Sequence, residues 1–156
     1  MMFTNSQLAA AGLAMMGLAR PVLAQNNETW TVNGFDASYR WENDKTANLE
    51  FDLNVPSLEG NGHCSATYVG LEVLGLPNVT HQPCERVGFV FDFLLSTGPG
   101  GIYLGAELNV TYDKQFSGTH WFPETDFVLV PYYEQDGTQH TDIEYRGPTQ
   151  IDLDMQ

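Results

Sequence analysis

Leu49-Glu50-Phe51-Asp52-Leu53-Asn54-Val55 decides the fold class of this chain. Apolar and polar residues alternate through it without a break. That two-residue period belongs to a strand with one face buried and the other in water. Pro56 ends it, because proline brings no N–H to a ladder. The same period recurs downstream. Ile102, Leu104, Ala106, Leu108, Val110 and Tyr112 follow the turn-forming Gly98-Pro99-Gly100-Gly101. Val87, Phe89, Phe91, Phe93 and Leu95 alternate as well, and the interleaved Val90 and Leu94 are apolar too, which predicts a central strand.

Two strands change parity midway. Trp30 and Val32 share one face, whereas Phe35, Ala37 and Tyr39 share the next parity, with Asn33-Gly34 between them. Cys64, Ala66 and Tyr68 give way to Leu71 and Val73 across Gly70. A one-residue slip turns every later side chain to the opposite face, so a β-bulge at each glycine is expected to keep both halves inward. Phe127 to Tyr133 is a nearly continuous apolar run, followed by the turn signal Asp136-Gly137. Thr138 to Arg146 returns with Ile143 and Tyr145 on one parity, and Gly147-Pro148 breaks it. Ile151, Leu153 and Met155 predict a short last edge strand, and Lys114 to Thr125 reads as the longest irregular stretch. These spacings predict an all-β domain, a single antiparallel β-barrel or strongly bent β-sandwich of seven or eight strands.

The N-terminus has a different character. Leu8 to Ala19 is an unbroken run of Leu, Ala, Met and Gly, closed by Arg20-Pro21. Val22-Leu23-Ala24 offers compact residues at a cleavage site before Gln25, the layout of a secretory signal peptide. The apolar run of about 12 residues falls short of the ~20 that span a bilayer. No Lys or Arg precedes it, a departure from the usual leader. The expected organisation is therefore a signal peptide at 1–24 and one domain at 25–156. The mature chain is expected to be extracellular and to have no membrane association after cleavage.

Removal of Arg20 with the leader takes the net charge from −14 to −15 over 132 residues. Such a surface disfavours nucleic acid, whose affinity comes from cationic neutralisation of phosphates, and anionic membranes alike. The chain has two cysteines, Cys64 and Cys84, and an even count in an exported protein predicts one disulfide. Three N-x-T sequons, at Asn27, Asn78 and Asn109, are candidate glycosylation sites.

Catalytic chemistry finds little to stand on. His63, His81, His120 and His140 include no pair at metal-ligand spacing, although a disulfide could draw His63 towards His81. A copper centre on an N-terminal histidine is set aside, since cleavage leaves Gln25. Glu50, Asp52 and Glu107 sit on polar parities with no mark of desolvation, and no G-x-S-x-G elbow occurs. No catalytic residue, metal or cofactor is assigned. The aromatic residues are the better lead for binding. Trp41 stands at a strand exit, Trp121-Phe122-Pro123 lies in the irregular stretch, and Tyr132-Tyr133 straddle the two faces of one strand. Exposed aromatics mark sugar platforms or protein interfaces. Alternatively, Trp121 and Phe122 fold back as a plug over a barrel end.

Trp30-Thr31-Val32-Asn33-Gly34-Phe35-Asp36-Ala37-Ser38-Tyr39 resembles the W-x-V-x-x-F-x-A opening of a group of small secreted fungal proteins. Phe51-Asp52-Leu53-Asn54-Val55, Cys64-Ser65-Ala66-Thr67 and Phe127 to Tyr133 with Asp136-Gly137 are similar to later segments of that group. It is the family around the major allergen of Alternaria, and the resemblance covers residues 29–146. It implies a single-domain β-barrel without a known catalytic site, an extracellular protein acting on plant hosts as an effector or by binding defence proteins. Members commonly carry four or more cysteines. An early pair is absent where Tyr39 to Ala47 stands, which leaves a family-type second disulfide or disulfide-linked dimer without its residues. The expectation is a non-enzymatic, effector- or allergen-like protein that binds a host protein through Trp41, Trp121 and Tyr132. The rival is a carbohydrate-binding module for neutral cell-wall glycans.

Overall fold

The computed structural model describes residues 28–42, 44–71, 75–101 and 103–156. The leader at 1–24, the Asn27 sequon, Val73 and Ile102 lie outside them. Among the described residues the chain forms ten strands: β1 (Trp30–Arg40), β2 (Thr46–Asn54), β3 (Gly62–Tyr68), β4 (Val79–Pro83), β5 (Phe89–Thr97), β6 (Tyr103–Tyr112), β7 (Phe116–Pro123), β8 (Phe127–Tyr133), β9 (Gln139–Tyr145) and β10 (Gln150–Met155). Every pairing is antiparallel. Eight strands run in the order β3-β2-β1-β10-β7-β6-β5-β4 and curl into a nearly closed barrel. The all-β barrel is therefore the fold. β8 and β9 form a hairpin that joins this wall where Ser38 and Tyr39 of β1 meet Glu144 and Ile143 of β9.

The alternation in β2 is realised residue by residue. Leu49, Phe51, Leu53 and, just past the strand, Val55 are buried, while Glu50 and Asp52 are exposed. The parity break in β1 is also realised. The β1–β2 register shifts between Asn33 and Asp36, and Gly34 takes φ +62°, a left-handed backbone that glycine adopts without a Cβ penalty. Trp30 and Val32 before the bulge and Phe35, Ala37 and Tyr39 after it therefore all reach the core. The interior is filled by aromatic rings: Phe35 stacks on Phe122 with centroids 4.4 Å apart and meets Phe51, Phe93 and Tyr145 around it.

Five expectations need correction. Lys114 to Thr125 is not irregular, because Phe116–Pro123 is β7, laddered to β6 along its whole length. Its inward positions hold Gly118 and His120 beside Phe122, so the apolar period is masked. No bulge forms at Gly70, since β3 ends at Tyr68. Val87 belongs to the turn before β5 and is 92% exposed. Leu104 points outwards, because the β5–β6 register shifts opposite Ser96 and Thr97 and leaves it without a ladder partner. β10 is no edge strand, as it sits between β1 and β7.

The path ends at β3 and β4, and these two lie side by side without a shared ladder. The predicted disulfide sits at this seam. Cys64 of β3 and Cys84, just beyond β4, are bonded with Cα atoms 4.2 Å apart. The Glu85 N–H donates to the His63 carbonyl at 2.8 Å, and Arg86 donates to the carbonyls of Glu59 and Gly60. Covalent and loop contacts thus close what strand pairing leaves open.

His63 beside the seam hydrogen-bonds Asp52 at 3.0 Å, which holds its imidazolium above the ordinary value of about 6.5. A raised folded-state value means the pair's contribution is full below the unfolded pKa and is lost as pH rises through the folded one. In an NMR titration the His63 midpoint is expected above 6.5, and Asp52→Asn is expected to bring it down. A midpoint indifferent to that substitution contradicts the pair.

Candidate functional site

The hairpin brings together an open surface site. In its register Tyr132 lies opposite His140, and the tight turn between them is closed by Glu134 N–H to Thr138 O and Gly137 N–H to Glu134 O, both 2.9 Å. At the end of β1 the chain bends at Trp41, whose backbone N–H donates to Asp142 Oδ1 at 2.8 Å. Asp142 is a buried carboxylate. That amide and the Arg40 guanidinium, 3.6 Å away, supply the partners that a buried anion requires. Arg40 also pairs with Glu144 at 2.6 Å, and Arg146 pairs with the same carboxylate. Hydrogen bonds from Arg146 and then Arg40 hold Glu144 below the usual carboxylate range.

Trp41 is fixed on several sides. His140 stacks on it with centroids 3.7 Å apart and planes 11° apart. Its indole N–H donates to Glu134 Oε1 at 2.9 Å. His140 Nε2 approaches the same oxygen to 2.9 Å, an ion pair when the ring is protonated, though off the line of a hydrogen bond. The Lys45 ammonium lies over the indole, 4.6 Å from its centroid, within cation–π range. Trp41, Glu42, Tyr132, Glu134, Gln135 and Asp136 line an open cup of about 490 Å³. Hydrogen bonds from Thr138 keep Asp136 below its ordinary value.

Of the three predicted binding aromatics, Trp41 and Tyr132 share this cup and Trp121 does not. Phe122 is buried in the core, whereas its neighbour Trp121 is 47% exposed on the outer wall. The plug expectation is therefore corrected: both residues stand on wall strand β7, with Phe122 facing the core and Trp121 facing out. Trp121 lies over Gly105, where an added Cβ would come within 2.6 Å of Cζ2, and it sits in a cross-strand row with Glu107 and Leu94. The residues that the sequence reading left out are Glu42, Glu134, Asp136, His140 and Lys45. A two-residue turn at Asp136-Gly137 would pair Tyr132 with Thr141; the observed loop also takes in Gln135, which sets Tyr132 opposite His140 instead.

The hairpin has a second feature. Among the described residues β8 pairs only with β9, and no strand of theirs covers its other edge. Leu129 is 67% exposed, Tyr133 61% and Val128 42%. Leu129, Pro131 and Tyr133 share one face, and Val128, Val130 and Tyr132 share the face of the cup. Pro131 has no N–H, and strands accommodate proline where that position faces away from the neighbouring strand.

The remaining candidates are scattered. Asn78 is exposed and its Oδ1 accepts from the Leu95 N–H at 2.7 Å. Asn109 is half-buried in mid-β6, opposite Asp92 and Thr119, and its Oδ1 has no hydrogen-bond partner among the described residues. His63 turns to Asp52 and His81 to Asp92 at 3.4 Å. Among the described residues no three His, Cys, Asp or Glu side chains converge as a metal site, and no helix is long and apolar enough to cross a membrane. No family model, curated protein or solved structure matches this chain.

Proposed function

We propose that this chain is an exported, non-enzymatic barrel that acts by docking on an extracellular host protein, in the manner of a fungal effector or allergen. The observation that carries the reading is the β8–β9 hairpin, whose seven-residue outer strand leaves Val128, Leu129 and Tyr133 open to water. Large apolar side chains grouped at a free edge cost solubility and are the usual mark of a protein-binding surface. The aromatic pair Trp41 and Tyr132 lies at the same end of the molecule. A disulfide accords with export through an oxidising compartment, and the exposed Asn78 is the better placed glycan acceptor of the two described sequons.

The second reading, a module for neutral cell-wall glycans, draws on Trp121, an indole laid across a glycine on the outer wall. One experiment separates the two. The secreted protein is passed over immobilised plant extracellular fluid proteins and over insoluble chitin, β-glucan and cellulose. Saturable binding to protein, lost in Leu129→Ser/Tyr133→Ser and kept in Trp121→Ala, is the expected result. Retention on a glycan that is lost only in Trp121→Ala overturns the first reading in favour of the second.

A further inference from the structure

We propose that the outer edge of β8 takes an extended segment of the docking partner as an added antiparallel strand, one with an uncharged middle and a lysine or arginine towards each end. This mode rests on the docking reading and gives its partner a backbone conformation and a chemistry.

In an antiparallel pair the residues that exchange ladder bonds alternate with residues whose N–H and C=O aim at the opposite edge. Glu134 N–H donates to Thr138 O and Arg146 N–H donates to Asp126 O. Those pairs share a register with Val128 opposite Glu144, Val130 opposite Asp142 and Tyr132 opposite His140. Val128, Val130 and Tyr132 therefore bond to β9, and the backbone groups of Phe127, Leu129, Pro131 and Tyr133 aim away from it. The Phe127 N–H already donates to Glu124 O. Leu129 and Tyr133 each present a donor and an acceptor, and Pro131 presents an acceptor alone. Among the described residues none of these groups has a backbone partner. A row of this kind is a template for another strand, and strand addition is a recurring way for a sheet edge to bind a protein. Leu129 and Tyr133 project from one face and Val128 from the other, all exposed, so an added strand meets apolar neighbours on both of its faces.

Charge selects the occupant. β8 contains no Asp, Glu, Lys, Arg or His. Glu124 and Asp126 precede it, Glu134 and Asp136 follow it, and no basic residue stands between Glu124 and Asp136. Glu134 is engaged by the Trp41 indole, whereas Glu124 and Asp136 are exposed. A strand that is uncharged in the middle and cationic towards both ends complements that pattern. A second copy of β8 does not. The two-fold pairing that sets Leu129 against Tyr133 also sets Asp126 against Asp136, and like charges directly opposite destabilise a sheet. The chain's net charge of −14 opposes the same association at longer range.

The test uses the intact secreted protein labelled with ¹⁵N. In the free protein, amide exchange is expected to be fast at Leu129 and Tyr133 and slow at Val128, Val130 and Tyr132. Slow exchange at Leu129 and Tyr133 shows a covered edge and overturns the proposal. The probe is the peptide acetyl-Lys-Thr-Val-Thr-Val-Thr-Lys-amide. Saturable shifts at millimolar concentration are expected, with exchange at Leu129 and Tyr133 slowed in the complex. The analogue with glutamate at both ends is expected to bind about tenfold more weakly. Leu129→Pro removes an outward N–H and no bond to β9, so it is expected to abolish binding, whereas Leu129→Ala, which keeps that N–H, retains it. Should Leu129→Pro fail to fold, two probes test the unmodified protein, one N-methylated at its threonines and one at its valines. One of the two is expected to lose binding and the other to keep it. Shifts that never saturate, equal binding of the glutamate analogue, or saturation that leaves Leu129 and Tyr133 in fast exchange overturns the proposal. The docking reading fails separately. If the peptide adds to β8 but Leu129→Ser/Tyr133→Ser keeps its extracellular protein partner, the docking reading falls and the strand-accepting edge stands. If that variant loses the partner while the peptide never slows those amides, strand addition falls and docking through side chains stands.

Discussion

Phe122→Ala is expected to lower the stability of the barrel by about 3–5 kcal/mol, the range for truncating a fully buried phenylalanine. Phe122 has no exposed surface and meets Phe35, Phe93, His120, Phe127 and Tyr145, so it joins β7 to β1, β5, β8 and β9. Alanine leaves a void that rings anchored on several strands cannot collapse to fill. Domains have only about 5–15 kcal/mol in total. The melting temperature is therefore expected to fall by roughly 10–20 °C. Trp121→Ala, one residue away on the outer face, is the control and is expected to shift it far less. Comparable losses at the two positions contradict the assigned facing of β7, as does a Phe122→Ala protein that melts normally.

Loss of the Cys64–Cys84 bond is the second large effect. The bond closes a loop of separation 20. In the chain-entropy account such a bond contributes about 3 kcal/mol by restricting the unfolded chain. Its position adds a spatial prediction. Without it the hydrogen bonds across the seam between β3 and β4, among the described residues, are Glu85–His63 and those of Arg86, so opening starts there. Cys64→Ser/Cys84→Ser is expected to lower the melting temperature by roughly 10 °C. Amide exchange is expected to accelerate first in Gly62–Tyr68 and Val79–Pro83, ahead of the β1–β2 ladder. Uniform acceleration across all strands argues against a local seam.

The wall of the barrel was legible wherever inward positions are apolar and outward ones polar. Leu49 to Val55 is such a stretch, and the parity break at Gly34 betrayed its own bulge. Reading failed where packing overrides that pattern. In β7 the inward Gly118 has no side chain and lies against Leu153 and Met155 of β10, so a residue without hydrophobic character faces the core for reasons of space. β4 is five residues long, buries Val79 alone and passes through His81 at φ +53°, which leaves no period to detect. The candidate site was half visible. Trp41 and Tyr132 stood out by type, but the carboxylates that join them in one cup come from two turns far apart in sequence. Only the pairing of β9 with the end of β1 brings those turns together.

That β1 pairs with β10 has a bearing on how the molecule comes into being. Trp30 is in register with Leu153, 123 residues later. A ribosome delivers the first strand long before its neighbour, and the strands made in between cannot form a complete wall without that last one. Closing the wall must therefore wait until β10 has been made and for a contact of high sequence separation, a slow step by topology alone. Until then Trp30, Val32 and Phe35 lack the wall that buries them, a transient exposure of apolar surface of the kind that favours aggregation.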